Sequence, residues 1–302
     1  MKFIDIHTHG GFGVDFAVCD AGGLKEFAKK ALEQGIVGFC PTLATDSFEN
    51  IRHQLSIIAQ VGDTGGAKTL GVHLEGIFLN PEKSGAHDKS QLALPTIENF
   101  KRLAGDFVSV VKIVTLAPEL DKNLELTRFL QSNGIKVHAG HTLAKTAEGI
   151  DGTTHHFNAM PKMSHNEDTI TLDALLREGV YTEIISDGVH VDDEMSNLFF
   201  RLKNPDEVIL VSDSLALAHA PEGAGATLCG KKIFATPQGA RNEDGTLAGS
   251  TYLLSDIAQR LVIKGILPQE TIQKMVWDNP IRHLGLDSEV VESMIKLGKN
   301  NE

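Results

Sequence analysis

The sequence has little of what indicates a secreted, membrane-spanning or nucleic-acid-binding protein. It contains 3 cysteines among 302 residues, and its 28 basic and 40 acidic residues give a net charge of −12. The cysteines, Cys19, Cys40 and Cys229, are odd in number and far apart, so they predict neither a disulfide framework nor a zinc-finger motif, and they indicate a reducing compartment. The acidic balance argues against nucleic acid or an anionic membrane as the main partner.

Long apolar runs are absent as well. No run reaches the roughly 18 residues that cross a bilayer, and residues 1–10 lack the basic and apolar regions of a signal peptide. We therefore expect a cytoplasmic protein. Its hydrophobic content of 41% and charged content of 23% are usual for a globular chain. A chain of this length can form one β/α barrel of about 250 residues with short additions.

Strand-like and helix-like segments alternate along the chain. Strands are predicted near 2–8, 36–42, 68–75, 109–116, 135–141, 152–157, 180–187 and 207–213. With amphipathic helices between them, this order predicts a (β/α)8 TIM barrel. A glycine-rich segment, 218–249, interrupts the alternation and predicts a hairpin or loop inserted after strand eight. We expect residues 1–298 to form a single barrel domain and 299–302 a tail.

Side chains that bind metals or move protons recur where predicted strands end. They are His7, His9, Glu75, His141, His155 and Asp213. Because parallel strands of a barrel bring their carboxyl ends together, we expect these groups to converge at one point. His7 and His9 are two residues apart, on the same side of a strand, so both could hold one ion.

Glu75, His141 and His155 form a set of three protein ligands, which leaves a coordination position open for a water molecule. Asp213 is placed to take a proton from that water and pass it to a leaving amine. The pattern predicts a metal-dependent hydrolase. His138 lies three residues before His141, so strict alternation would place it on the other face of the strand as a core histidine.

Several motifs follow one another in an order that identifies a family. They are GVHLEG at 71–76, VTLAPE at 114–119, GHT at 140–142, THHFNAM at 154–160, DGVHV at 187–191, SD at 212–213 and LAGS at 247–250. From His7 to about Leu286 the chain resembles the N-acetylglucosamine-6-phosphate deacetylases of the amidohydrolase superfamily. The resemblance implies hydrolysis of the acetamide of N-acetylglucosamine 6-phosphate, an amino-sugar substrate, to glucosamine 6-phosphate and acetate.

The resemblance also implies roles for individual residues. Glu75, His141 and His155 would hold the catalytic divalent cation, Zn²⁺ in the first place, with Fe²⁺ or another divalent ion as alternatives. Asp213 would be the general base and acid, and His87 would polarise the acetamide carbonyl. The residues implied in substrate binding are Asn158, Ala159, His190, Ala86 and Leu247. Family members with two histidines on strand one can hold a second ion, so His7 and His9 imply one or two ions per subunit.

Two departures from the family pattern affect these expectations. Strand one starts at Lys2 and the chain stops soon after Pro280, so we expect a short form without the β-sandwich that members usually carry. No arginine stands near Asn166, where the family commonly binds the substrate phosphate. The candidates to replace it are Lys162, His165 and Arg241. The missing arginine leaves deacylation of a different N-acyl amino sugar or amino acid as an alternative.

A non-catalytic, sugar-phosphate-binding barrel is the alternative of another class, but a sensor would have no need of the proton shuttle that Asp213 provides. A barrel without a β-sandwich would leave an apolar patch at its N-terminal end, and such patches usually become interfaces. Because members of the resembling family are commonly dimers, we expect a homodimer.

Overall fold

The fold is built around eight parallel strands whose order in the sheet follows their order in the chain. The computed structural model describes residues 1–299. The barrel strands are β1 (Phe3–Thr8), β2 (Ile36–Ala44), β3 (Val72–Glu75), β4 (Val111–Leu116), β5 (Lys136–Ala139), β6 (Gly152–Thr153), β7 (Tyr181–Ile184) and β8 (Val208–Leu210). Short strands lie at Gly10–Gly11, Val14–Asp15 and Lys68–Thr69.

Ser214 closes the barrel between β8 and β1. It forms an isolated parallel bridge with Thr8, and its carbonyl accepts a 2.8 Å hydrogen bond from the backbone of His9. The backbone N–H of Asp213 donates to the carbonyl of His7 at 2.9 Å. These contacts confirm the predicted (β/α)8 barrel and bring the first and last strands of the site side by side.

Helices cover the outside of the strands. They are α1 (Ala21–Glu33), α2 (Phe48–Val61), α3 (Ile97–Ala104), α4 (Glu125–Ser132), α5 (Ile170–Leu176), α6 (Asp193–Leu202), α7 (Leu254–Ile263), α8 (Gln269–Gln273), a π-helical turn (Lys274–Asp278), α9 (Asn279–Leu284) and α10 (Ser288–Lys299). Short 3-10 segments lie at Pro81–Lys83, Lys89–Gln91, Gly105–Val110, Pro118–Leu120, Lys122–Leu124 and Pro205–Glu207. Within the described residues, no helix combines the length and apolar character needed to cross a bilayer.

Helix ends follow local signals in most places. Ser47 caps α2, because its hydroxyl accepts from the backbone of Asn50 at 3.1 Å. Helix α5 ends at Leu176, because the next residue, Arg177, is already extended at φ −78° and ψ 126°. Lys299, predicted to begin a tail, is the last residue of α10, and residues 300–302 of that tail lie outside the described part of the chain.

The glycine-rich insertion is a four-stranded antiparallel sheet, more structure than the predicted hairpin or loop. Its strands are β9 (Gly225–Leu228), β10 (Lys231–Thr236), β11 (Gly239–Asn242) and β12 (Leu247–Gly249). Leu228 and Ile233 on its inner face pack with Leu215 and Leu217 in a small apolar core of their own. The sheet is therefore fixed over the carboxyl end of β8 and contributes to the site below.

Helix α10 lies at the N-terminal end of the barrel, where the sequence predicts an uncovered apolar patch. Met294 of this helix is fully buried, and a Cβ on Gly38 of β2 would lie only 2.7 Å from the Met294 sulfur. The ammonium of Lys2 donates to the carbonyl of Ile295 at 3.4 Å. Part of the barrel end is thus covered by the chain itself.

Candidate active site

The predicted site residues lie around one cavity at the carboxyl ends of the strands. Its volume is about 340 Å³. Its lining includes His9, Glu75, Ala86, His87, His141, His155, Asn158, Ala159, His190, Asp213 and Leu247. His7 is fully buried and contacts Glu75 and Asp213 from beneath the cavity floor. The structure therefore brings together the residues proposed from the sequence as metal ligands, catalytic groups and sugar contacts, whereas the phosphate candidates Lys162, His165 and Arg241 do not line this cavity.

Three of these residues have left-handed backbone conformations just beyond a strand end. The φ angles of His141, His155 and Asp213 are 47°, 31° and 48°. Such angles are uncommon for residues with a Cβ, and active sites are where the surrounding structure holds them in place. One consequence corrects the sequence analysis: because His141 lies past the end of β5, alternation does not apply to it, and His138 also faces the barrel interior.

One group of ligand atoms is formed by Glu75, His141 and His155. The Glu75 Oε1 atom lies 2.8 Å from His155 Nε2 and 3.3 Å from His141 Nε2. The two Nε2 atoms are 3.1 Å apart. Ligands at about 2.0–2.2 Å from a tetrahedral ion are separated by about 3.3 Å. The spacing of these three atoms therefore fits a single bound cation.

A second group uses the other oxygen of the same carboxylate. Glu75 Oε2 lies 3.0 Å from His9 Nε2 and 3.5 Å from His7 Nε2. Asp213 Oδ1 lies 3.2 Å from His9 Nε2 and 3.4 Å from His7 Nε2. These separations also suit ligands of one cation, so the Glu75 carboxylate is placed between two candidate ion positions.

Hydrogen bonds behind the histidines decide which ring nitrogen faces the cavity. His141 Nδ1 donates to the carbonyl of Lys83 at 2.7 Å, and His9 Nδ1 donates to the carbonyl of Thr42 at 3.2 Å. Because a carbonyl can only accept, Nδ1 carries the proton in both rings. Each Nε2 therefore presents a lone pair to the ligand groups, which is the arrangement of metal-binding histidines.

The charges of the side chains around Glu75 also favour bound cations. His7 Nε2 and Glu75 Oε1 are buried without a hydrogen-bond partner in the described structure. Burial disfavours the protonated His7 ring, yet the carboxylates of Glu75, Glu183 and Asp213 outweigh it and raise the pKa of His7 well above its ordinary value. A buried cluster that attracts positive charge and directs lone pairs at two points has the donor set that divalent cations require.

In the His87 ring, unlike those of His9 and His141, the proton lies on Nε2. The backbone N–H of Thr45 donates to His87 Nδ1 at 3.2 Å, so this ring carries its proton on Nε2, which lies 3.7 Å from Glu75 Oε2. Burial, helped by the neighbouring His141 ring, lowers the pKa of His87 to about 3. His87 is therefore a neutral donor facing the cavity. Gly76 makes this possible, since a Cβ there would lie 2.2 Å from the Thr45 hydroxyl.

Asp187 orients His190 on the side of the cavity where we expect the substrate to bind. His190 Nδ1 lies 2.8 Å from Asp187 Oδ2, and the backbone N–H groups of Val189 and His190 donate to Asp187 Oδ1 at 2.8 Å each. Asp187 is buried. These bonds fix the orientation of the His190 ring at the cavity wall.

Two residues near the cavity were not identified as site residues in the sequence analysis. Glu183 of β7 accepts from His7 Nδ1 at 2.9 Å, and a lone carboxylate in an apolar strand is a signal that could have found it. Lys83 lines the cavity, and its ammonium donates to the carbonyl of Met160 at 3.1 Å. No local pattern distinguishes Lys83 from a surface lysine, because its position depends on how the loop after β3 folds.

Other histidines behave as core residues. His73 Nδ1 donates to the carbonyl of Ile6 at 3.0 Å, and its Nε2 lies 2.7 Å from the hydroxyl of Thr115. His156 packs against the Phe199 ring at 5.6 Å, on the outer side of the barrel. Both rings lie outside the cavity lining, and their polar or aromatic contacts hold them within the packed interior.

No protein-family model matches this sequence. Among curated proteins, an N-acetylglucosamine-6-phosphate deacetylase of Bacillus subtilis is 32% identical over 295 residues, covering 94% of this chain and 74% of that protein. An N-acetylgalactosamine-6-phosphate deacetylase of Escherichia coli O157:H7 is 30% identical over 307 residues, covering 98% of this chain and 80% of that protein.

Solved structures of the same kind of enzyme also match this chain. The N-acetylglucosamine-6-phosphate deacetylase of Thermotoga maritima matches with a TM-score of 0.85 at 30% identity, over 95% of this chain and 78% of that one. The Mycobacterium smegmatis deacetylase, solved as a mutant with N-acetyl-D-glucosamine-6-phosphate, matches with a TM-score of 0.87 at 27% identity, over 94% and 77%. The barrel, the arrangement of the site and these similarities together show that the chain belongs to the N-acetylglucosamine-6-phosphate deacetylase family of the amidohydrolase superfamily.

Proposed function

We propose that the protein is a metal-dependent deacetylase that hydrolyses N-acetylglucosamine 6-phosphate to glucosamine 6-phosphate and acetate. The observation that carries this proposal is the Glu75 carboxylate, which has histidine nitrogens within 2.8–3.5 Å of each of its two oxygens. His87 and Asp213 line the same cavity. The named activities of the relatives support the choice of an N-acetylated amino-sugar phosphate.

The ligand groups suit two divalent cations, for which we propose Zn²⁺. One ion would be held by Glu75, His141 and His155, and the other by the second Glu75 oxygen with His7, His9 and Asp213. Bound there, a cation would supply Lewis acidity that polarises the acetamide carbonyl and makes a water more acidic.

The remaining chemistry belongs to side chains of the protein. As water attacks the acetamide carbonyl carbon, Asp213 accepts its proton. His87 donates a hydrogen bond from Nε2 to the carbonyl oxygen, which gains negative charge in this step. Asp213 then returns the proton to the amide nitrogen, the C–N bond breaks, and acetate and the amine are the products.

Lys83 is the residue that we propose for binding the anionic group of the substrate. It lines the cavity, whereas the candidates Lys162, His165 and Arg241 are outside the lining. Its ammonium carries three donors, of which the Met160 carbonyl takes one. A phosphate at this position would be bound by a charge-assisted hydrogen bond.

Replacing Lys83 by methionine should therefore raise KM for the 6-phosphate roughly 10- to 100-fold, the range for a lost hydrogen bond between charged groups. Turnover of unphosphorylated N-acetylglucosamine should change little, because the backbone carbonyl that orients His141 remains. Steady-state kinetics on both substrates measure this, with Lys162→Met, an exposed lysine outside the cavity, as the matched control. Equal losses on both sugars would rule out a role in phosphate binding.

We further propose a homodimer, because an interface would cover those apolar side chains that the barrel leaves exposed, among them Leu198 and Leu202 of α6.

A cytoplasmic location is proposed from the cysteines, since all three are free and reducing compartments keep thiols in that state.

Acetate release tests the function directly. Protein reconstituted with Zn²⁺ should release acetate from N-acetylglucosamine 6-phosphate much faster than from N-acetylglucosamine, and the same protein after chelation should be inactive. N-acetylgalactosamine 6-phosphate belongs in the assay, because one relative is named for that epimer. A metal-loaded protein that hydrolyses none of the three would contradict the proposal.

A further inference from the structure

The interior of the barrel directly beneath the site is polar. Barrel interiors are usually filled by branched apolar side chains. Here Asp5, His7, His138 and Glu183 are each at most 1% exposed. Burying charged and polar groups costs free energy unless they are paired, so a connected set of this kind indicates a role beyond packing.

Glu183 is the centre of this set. Its Oε2 accepts from His7 Nδ1 at 2.9 Å and from the backbone N–H of His155 at 3.2 Å. Its Oε1 lies 3.1 Å from His138 Nδ1, a contact bent away from hydrogen-bond alignment and therefore chiefly electrostatic. One carboxylate thus contacts the ring of one ligand histidine, the backbone of a second, and a histidine deeper in the barrel.

The far end of the set is anchored outside the barrel strands. His138 Nε2 lies 2.7 Å from Nε2 of His283, a residue of α9. The His283 ring packs at 4.5 Å on the ring of Tyr181, the first residue of β7. If His283 donates to His138, then His138 Nδ1 carries a proton toward Glu183, and each Glu183 oxygen faces a donor.

We propose that Glu183 is a positioning residue for the ion site of His7 and His9, held in place through His138 by His283. By accepting from His7 Nδ1, Glu183 keeps the His7 proton off Nε2 and directs that lone pair at the carboxylates of Glu75 and Asp213. Glu183 contacts the group of Glu75, His141 and His155 only at the backbone N–H of His155 and orients none of its side chains. We therefore expect the effect at the ion position of His7 and His9. The inference rests on the proposed function, because it assumes that both groups bind cations.

The test is the number and affinity of bound ions in Glu183→Gln, measured by elemental analysis at limiting Zn²⁺ and by competition with a chromophoric chelator. We expect the variant to keep one ion at wild-type affinity and to bind the other about 10- to 100-fold more weakly, the usual consequence of losing a partner behind a metal ligand. Glu207→Gln is the matched control, since Glu207 is a half-buried carboxylate that pairs with Lys203 at 2.9 Å, outside this set. The control should bind both ions as the wild type does.

Unchanged affinity for both ions in Glu183→Gln would overturn the inference, as would an equal loss of both ions accompanied by a lowered melting temperature of the metal-free protein. If that variant does not fold, His283→Gln serves instead, with the same selective weakening expected and unchanged binding as the contrary result. The wild type separates the two proposals: binding of one ion only contradicts this inference, and binding of none contradicts the proposed function.

Discussion

Replacement of Glu75 by alanine is expected to remove both bound ions and to lower activity by at least about a thousandfold, given that Lewis-acid stabilisation is worth several kcal/mol. The reason is the position of its carboxylate: Oε1 faces His141 and His155, while Oε2 faces His7 and His9. His141→Ala should abolish activity as well but remove only one ion, because His141 belongs to one ligand group.

Elemental analysis of dialysed protein, together with acetate release, measures both effects. Glu82→Ala is the control, since Glu82 also lines the cavity but is exposed and stands outside the ligand groups. It should retain both ions. Full occupancy in Glu75→Ala would exclude this carboxylate as a ligand, and loss of one ion would show that it is not shared.

Asp213→Asn should lower turnover by at least about a hundredfold, the smaller end of the effect of general acid–base catalysis. Asparagine keeps the shape of the side chain and an oxygen facing His7 and His9, but it cannot accept a proton from water or return one to the amine. The ion held by Glu75, His141 and His155 should remain, because Asp213 makes no contact in that group.

The measurement is kcat at saturating substrate, with metal content determined on the same sample so that a lost ion is not mistaken for a lost proton shuttle. Asp88→Asn is a matched control: Asp88 accepts from the backbone of Ser90 at 2.9 Å in a local turn and does not line the cavity. Turnover near the wild-type value in Asp213→Asn would show that another group moves the proton.

The barrel and the polar groups at its strand ends could be predicted because both depend on local patterns, whereas His87 and the substrate-binding residues were implied only by the family resemblance. An apolar run followed by a polar residue marks a strand end within a few positions, and parallel strands of a barrel necessarily bring their carboxyl ends together. His7, Glu75 and Asp213 therefore had to converge once eight such strands were recognised. The predicted strands 152–157 and 180–187 proved shorter, at Gly152–Thr153 and Tyr181–Ile184, because the residues after them leave the ladder to form the site.

The roles within the site could not be obtained in this way. That His87 donates while His141 presents a lone pair depends on backbone groups of Thr45 and Lys83, which lie 42 and 58 residues away along the chain. The contact of Glu183 with His7 spans 176 residues. The sequence by itself determined which strand-end groups meet at the barrel mouth, but Glu183 and Lys83 were found only in the folded structure. Only the closed barrel decided which oxygen of Glu75 faces which histidines. These contacts join strands that are far apart in the chain, and no local sequence pattern indicates which side chains of two such strands will meet.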